Sequence, residues 1–140
     1  MVRILKRLAL ALFLLSGIGI VFVRLAPSDP AKWHKPLDFT QNADFASGVE
    51  RVVKATPDIL HRLNQIALDF PRTKLLAGSV EEGRITYVTR TKIIGFPDYT
   101  TVELKNDQLL IFARLRFGGS DFGVNRDRID QWLRALEVGG

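Results

Sequence analysis

Two arginines stand at alternate positions, Arg114 and Arg116 in "ARLRF", ahead of Gly118, Gly119, Ser120 and Asp121. Residues i and i+2 of a strand project to one face, so the two guanidinium groups are presented together. The glycines let the backbone turn tightly, and Ser120, Asp121 or Asn125 is placed to cap a following helix. A helix start offers unpaired N–H groups and partial positive charge, and guanidinium groups beside it can hold a phosphate or carboxylate bidentately. Arg90 is a further candidate from an earlier strand, with Lys92 two residues on; the loop "IGFPD" leaves open which face they take. The candidate ligand-binding set is therefore Arg114, Arg116, Ser120, Asp121, Asn125, Asp98 and Arg90, and the chemistry is anion binding, for instance of a lipid headgroup.

The same residues admit a structural account. Asp98 and Asp121 are suited to pair with these arginines, Glu103 shares a face with Arg114, and Tyr99 opposite Arg114 suggests a cation–π contact. "GFPDY" then acts as a turn device shaped by Gly95 and Pro97 and capped by Asp98. A third account makes Asp98 and Asp121 the acid–base pair of a small hydrolase assisted by the arginines. Against it, Ser79 and Ser120 have no evident histidine base, and neither GxSxG nor a phosphate-binding glycine loop with its lysine occurs. No residue is therefore assigned a catalytic role. The two histidines, His34 and His61, lie far apart without a ligand pattern, and there is no cysteine. Disulfides and thiolate chemistry are excluded, and no metal or cofactor is expected.

The elements that must position this set begin with a hydrophobic leader. Leu8 to Val23 is free of charge and follows Arg3, Lys6 and Arg7. Flanked by Ile4, Leu5, Leu25 and Ala26, it is long enough to cross a bilayer if the basic side chains snorkel. The excess of positive charge before it favours a cytoplasmic N-terminus and an exported body. A cleaved signal peptide has the same basic start, but Arg24 two positions before Ala26 is a poor match to a cleavage site, so an uncleaved anchor is expected. The anchor also accounts for the charge. Of the net +5, the first 24 residues contribute four cations and no acid, and the rest is near neutral. A balanced body offers no broad field to a phosphate backbone, so nucleic acid is not an expected partner.

Three segments follow: an anchor with its basic flank over 1–26, an extended tether over 27–47, and a folded domain over 48–140. Pro27, Pro30 and Pro36 mark the tether, and Trp33 either sits at the membrane interface or, as expected here, docks on the domain. "VERVVKA" predicts a strand. Thr56 as N-cap, Pro57 at the first helical position and the stripe Ile59, Leu60, Leu63, Ile66 and Ala67 predict a helix that stops at Pro71. "TKLLAGSV", "RITYVTRTKII", "YTTVEL" and "QLLIFARLRF" predict four strands, with tight hairpins at Glu82-Gly83 and Asn106-Asp107. A two-residue loop at 106–107 sets Leu104 opposite Leu109, Val102 opposite Ile111 and Tyr99 opposite Arg114. "RDRIDQWLRAL" closes with a second amphipathic helix. The fold class is α+β, an antiparallel sheet packed against helices in the order β-α-β-β-β-β-α, behind an N-terminal transmembrane helix.

"DPAKWH", "FPRTKLLAGSVEEGRITYVTRTKIIGFPDYTTVEL" and "ARLRFGGSDFGVNRDRIDQWLRAL" resemble the domain of unknown function 1499 family over about residues 29–136, GFPDY and SDFGVN being its specific blocks. The family's Ser-Arg-Ser-Arg run stands here as Ala-Arg-Leu-Arg at 113–116, so a role needing those hydroxyls is not carried over. The resemblance implies a small envelope domain, often behind a membrane segment, in bacteria and plastids, with no established activity, substrate or cofactor. The combined expectation is a single-pass protein of the inner (plasma) membrane whose C-terminal domain is periplasmic or otherwise extracytoplasmic. That domain is a non-enzymatic binding or structural module whose partners are the membrane and an anionic lipid or envelope protein. A protein-interaction module is the remaining alternative.

Overall fold

The computed structural model describes residues 1–139. Its first element, α1 (Val2–Leu25), is a 24-residue helix with no buried residue. At about 1.5 Å per residue it is about 36 Å long, enough for a hydrocarbon core of about 30 Å. Helical geometry runs through the basic flank and Leu25, so the span exceeds the uncharged core Leu8–Val23 by a turn or more. The helix is long and apolar enough to cross a membrane.

Six strands form one antiparallel sheet. They are β1 (Ala43–Phe45), β2 (Gly48–Lys54), β3 (Thr73–Ser79), β4 (Arg84–Arg90), β5 (Pro97–Lys105) and β6 (Gln108–Leu115), in spatial order β1-β2-β6-β5-β4-β3. The α+β class stands, with one strand more than expected. Ala43–Phe45 lies inside the segment read as a tether, so the sheet starts five residues before residue 48. Thr91–Ile94, expected to extend β4, forms a loop instead. The β5–β6 hairpin has the register that a two-residue loop demands: Leu104 faces Leu109, Val102 faces Ile111 and Tyr99 faces Arg114. Asn106 and Asp107 take φ of 49° and 58°, the doubly left-handed turn that matches strand twist. The β3–β4 connection is longer, a four-residue turn closed by Gly83 N–H donating to the Val80 carbonyl.

Helices α3 (Ile59–Asp69) and α4 (Val124–Val138) cover one face of the sheet. Leu60, Leu63 and Ala67 of α3 and Ile129, Trp132 and Leu136 of α4 meet Val49, Ile85, Tyr87, Val102 and Ile111 in a single core. Trp132 is fully buried at its centre, edge-on to Tyr87 with ring centroids 5.7 Å apart. The start of α3 departs from expectation. Thr56 accepts no cap bond through its side chain; its carbonyl takes the Ile59 N–H, and Asp58, at φ 61°, occupies the cap position.

Residues 27–42 cover the other face. Asp29 accepts from Ala31 N–H and starts the short helix α2 (Pro30–Trp33). Trp33 then stacks flat on Tyr99, with centroids 3.9 Å apart. Leu37 is buried and donates its N–H to Glu103 Oε2 at 2.6 Å, and Phe39 meets Phe112 edge to face. The segment read as an extended tether is a strap packed along the sheet, with Trp33 docked on the domain as expected. Gly78 lets it close: at φ +84°, a β-carbon there would lie 2.0 Å from the Arg84 carbonyl oxygen and 2.7 Å from His34 Cε1.

Candidate functional site

The sheet divides the candidate residues between its two faces. Arg114 projects to the strap side. It donates to the Trp33 carbonyl at 2.7 Å, the Phe112 carbonyl at 3.1 Å and Thr101 Oγ1 at 3.2 Å, and its guanidinium lies over the rings of Phe112 and Trp33. Burial pushes its pKa down to about 10, which still leaves it charged at neutral pH. Arg116, on the same side, donates to the Pro27 carbonyl at 2.8 Å and to the Tyr99 hydroxyl at 3.1 Å. The donors that were to grip an anion therefore hold the strap. Their expected partners go elsewhere. Glu103 pairs with Arg84 at 3.1 Å, and Tyr99 stacks on Trp33 while the cation sits over Trp33 and Phe112.

Asp98, Asp121 and Asn125 come together on the opposite, helix-covered face. Asp98 is 4% exposed, and its ion-pair partner is Arg128 of α4, at 3.6 Å, rather than Arg114 or Arg116. Asn125 Nδ2 bridges the two carboxylates, donating to Asp121 Oδ2 at 2.7 Å and to Asp98 Oδ2 at 3.3 Å, while its side-chain oxygen accepts from Arg128. Burial raises the Asp98 pKa to about 6, outweighing the attraction of Arg128, with Asp121 adding to the rise. Asp121 also accepts from Gly123 N–H and Asn125 N–H, so it is the anion at the start of α4. Ser120 Oγ accepts from Phe122 N–H. Asp98 does not cap the GFPDY loop; Thr91 Oγ1 does, accepting from Gly95 N–H at 3.2 Å and Phe96 N–H at 2.9 Å.

Asp98, Asp121, Thr91 and Ser120 border a mainly apolar cavity of about 390 Å³, walled by Phe96, Leu115, Phe117 and Val124 between the 91–96 and 117–124 loops. Phe122, at φ 53° and 92% exposed, stands at its rim. Side chains with positive φ are uncommon outside glycine and asparagine, so an outward-pointing phenylalanine there is a costly arrangement.

The main cation cluster lies beyond Thr91, which borders both hollows. Arg24, Arg72, Lys74, Arg90 and Lys92 line a second cavity of about 390 Å³. No acidic side chain lines it, and none of the five is ion-paired among the described residues. Arg90 alone belongs to the set named from sequence; it donates to the Gly95 carbonyl at 2.9 Å. Arg24, in the last turn of α1, donates to the carbonyls of Ile93 and Ile94 at 2.8 and 2.9 Å and pins that loop to the helix end. Alternation within "RTK" at 72–74 and "RTK" at 90–92 is the signal in the sequence for this cluster. Bringing the two runs side by side needs the β3–β4 register, which a bulge between Leu75 and Ala77 shifts.

No metal-binding group of three or more His, Cys, Asp or Glu side chains occurs among the described residues. Fold and site define an α+β domain behind an apolar helix, with a cation-lined hollow where helix and domain meet. The chain belongs to the protein family of unknown function DUF1499, which it matches over residues 20–136. Among curated proteins, none matches it.

Proposed function

We propose that this protein is a single-pass, membrane-anchored binding module whose exported domain rests on the bilayer and holds the anionic headgroup of a lipid. The observation that carries this reading is the five-cation hollow formed jointly by the last turn of the apolar helix and the sheet edge. Like charges gathered without acids repel one another, and an anion seated among them relieves that repulsion. Arg24 lies where a membrane-spanning α1 would leave the hydrocarbon, so the hollow is at headgroup depth. Ile93, 82% exposed on the loop that Arg24 holds, would dip into the apolar layer beside it. The hollow replaces Arg114 and Arg116 as the anion site, and those two residues make the domain rigid by locking its strap.

The ligand chemistry is a phosphate, from a lipid or from solution, and one experiment separates the two. The full chain is reconstituted in phosphatidylcholine bilayers containing a minority of phosphatidylglycerol, extracted in mild detergent, and its retained lipid is weighed by native mass spectrometry. Enrichment of phosphatidylglycerol that K74E/K92E removes supports the reading. Displacement of that lipid by inorganic phosphate would assign the hollow to free phosphate, and unchanged enrichment in K74E/K92E would reject the hollow as the site.

The hydrolase alternative rests on Asp98, whose pKa near 6 suits a general acid beside the apolar cavity. Against it, Asp121 is committed to three donors and Asp98 to Arg128 and Asn125. Asp98→Asn abolishing turnover of an ester or phosphoester by a folded protein would reinstate it.

A further inference from the structure

We infer that the apolar cavity between the 91–96 and 117–124 loops receives one hydrocarbon chain of the lipid whose headgroup occupies the basic hollow, an inference that rests on the headgroup reading above. Thr91 borders both cavities, so headgroup and chain sites share a rim. Their combination of one cation-lined and one aromatic- and aliphatic-lined hollow matches an amphiphile with an anionic end. The cavity, at about 390 Å³, is within the range of roughly 300–1,000 Å³ typical of small-molecule sites. It opens at the end of the sheet that carries the Arg24 contact, the end from which Ile93 and Phe122 protrude. The Phe45–Gly48 turn closes the same end, its Ala46 carbonyl accepting from Asp121 N–H and its Ser47 carbonyl from Leu115 N–H.

The carboxylates at the cavity edge do not oppose this occupant. Asp98 is buried against Arg128 and Asn125, and Asp121 is spent on the first turn of α4. What remains facing the space is mainly the hydrocarbon of Phe96, Leu115, Phe117 and Val124, with the hydroxyl-bearing Thr91 and Ser120 beside it. A chain drawn up from the leaflet would cover this surface and the exposed ring of Phe122, removing apolar area from water without giving up hydrocarbon contact. The domain would then grip a single lipid by both ends rather than lie passively on the headgroup layer.

The chain lacks cysteine, so one introduced at Val124 is a unique handle that can be filled after folding. Full-length Val124→Cys is reconstituted with phosphatidylglycerol carrying a diazirine at mid-chain, photolysed before and after alkylation with a bulky maleimide, and labelled peptides are mapped. The expected result is labelling of residues 115–117 that alkylation lowers at least several-fold, with the phosphatidylglycerol that is still retained remaining sensitive to K74E/K92E. Labelling of those residues that is indifferent to alkylation would show only that the loops touch the bilayer, and labelling confined to α1 would show an empty cavity; either overturns the inference. If retention itself is insensitive to K74E/K92E, the headgroup reading has failed instead, and the two failures are read from separate signals.

Discussion

Arg114→Ala separates the strap lock from an anion site more sharply than any other single change. The substitution removes a charged donor from the Trp33 and Phe112 carbonyls and Thr101 Oγ1, and it strips the cation from the Trp33 and Phe112 rings. Hydrogen bonds to a charged group contribute about 1.5–3 kcal/mol, and a cation–π contact at a partly exposed site about 0.5–1 kcal/mol. The loss expected here is therefore about 3 kcal/mol, equivalent to a fall in Tm on the order of 10 °C for a domain of this size. The strap should also loosen first, so tryptic cleavage after Lys32 should accelerate before the sheet melts. Arg114→Lys should recover little, because an ammonium on a flexible stem does not reproduce a planar fork spread over three acceptors and two rings. Circular dichroism melts of the reconstituted full chain, with limited proteolysis beside them, provide the assay. Unaltered Tm and cleavage in Arg114→Ala, together with lost retention of anionic lipid, would refute the lock and return Arg114 to the binding site.

Other consequences follow from the same geometry. Asp98 has a folded pKa near 6 against about 3.8 unfolded, so its contribution to stability is fully present below about pH 3.8 and is lost as pH rises through 6. The difference amounts to about 3 kcal/mol, and urea titrations across pH 3.5–7 should show that Asp98→Asn lacks this segment of the pH dependence. Gly78→Ala should destabilise the domain by more than about 2 kcal/mol, since the added carbon meets the Arg84 backbone at a left-handed φ; a melt matching wild type would contradict that contact. Trp132→Ala should cost about 3–5 kcal/mol as a cavity at the centre of the core, read as a fall in the denaturation midpoint.

How far the sequence discloses this molecule depends on the range of the interaction. The β5–β6 register was legible because a two-residue turn and alternating apolar residues fix it within eighteen residues of chain. The leader was legible because apolarity on every side needs no partner to be recognised. Asp98 and Arg128 could not be matched in advance, since their approach depends on how α4 lies across the sheet. Trp33 docks on the domain as expected, but its partner was not legible: only the aromatic strap-side face of Tyr99 and Phe112 explains why 27–42 lies flat. The basic hollow joins β3, the end of β4 and the last turn of α1, three segments whose meeting no local pattern states. Thr56 illustrates the reverse: a good local cap signal was overridden when Asp58 adopted a left-handed conformation at the helix start.

The placement of the sheet end against the bilayer is the claim on which headgroup and chain binding both depend. Cysteines introduced singly at Ile93, Phe122 and Asp107, each labelled with bimane in the reconstituted full chain, measure it directly through quenching by lipids spin-labelled just below the headgroup. Nine residues of β5 at about 3.3 Å each put the Asp107 turn roughly 30 Å from the 91–96 loop. Strong quenching at 93 and 122 with none at 107 is the predicted result. Equal quenching at all three positions, or none at 93 and 122, would contradict it.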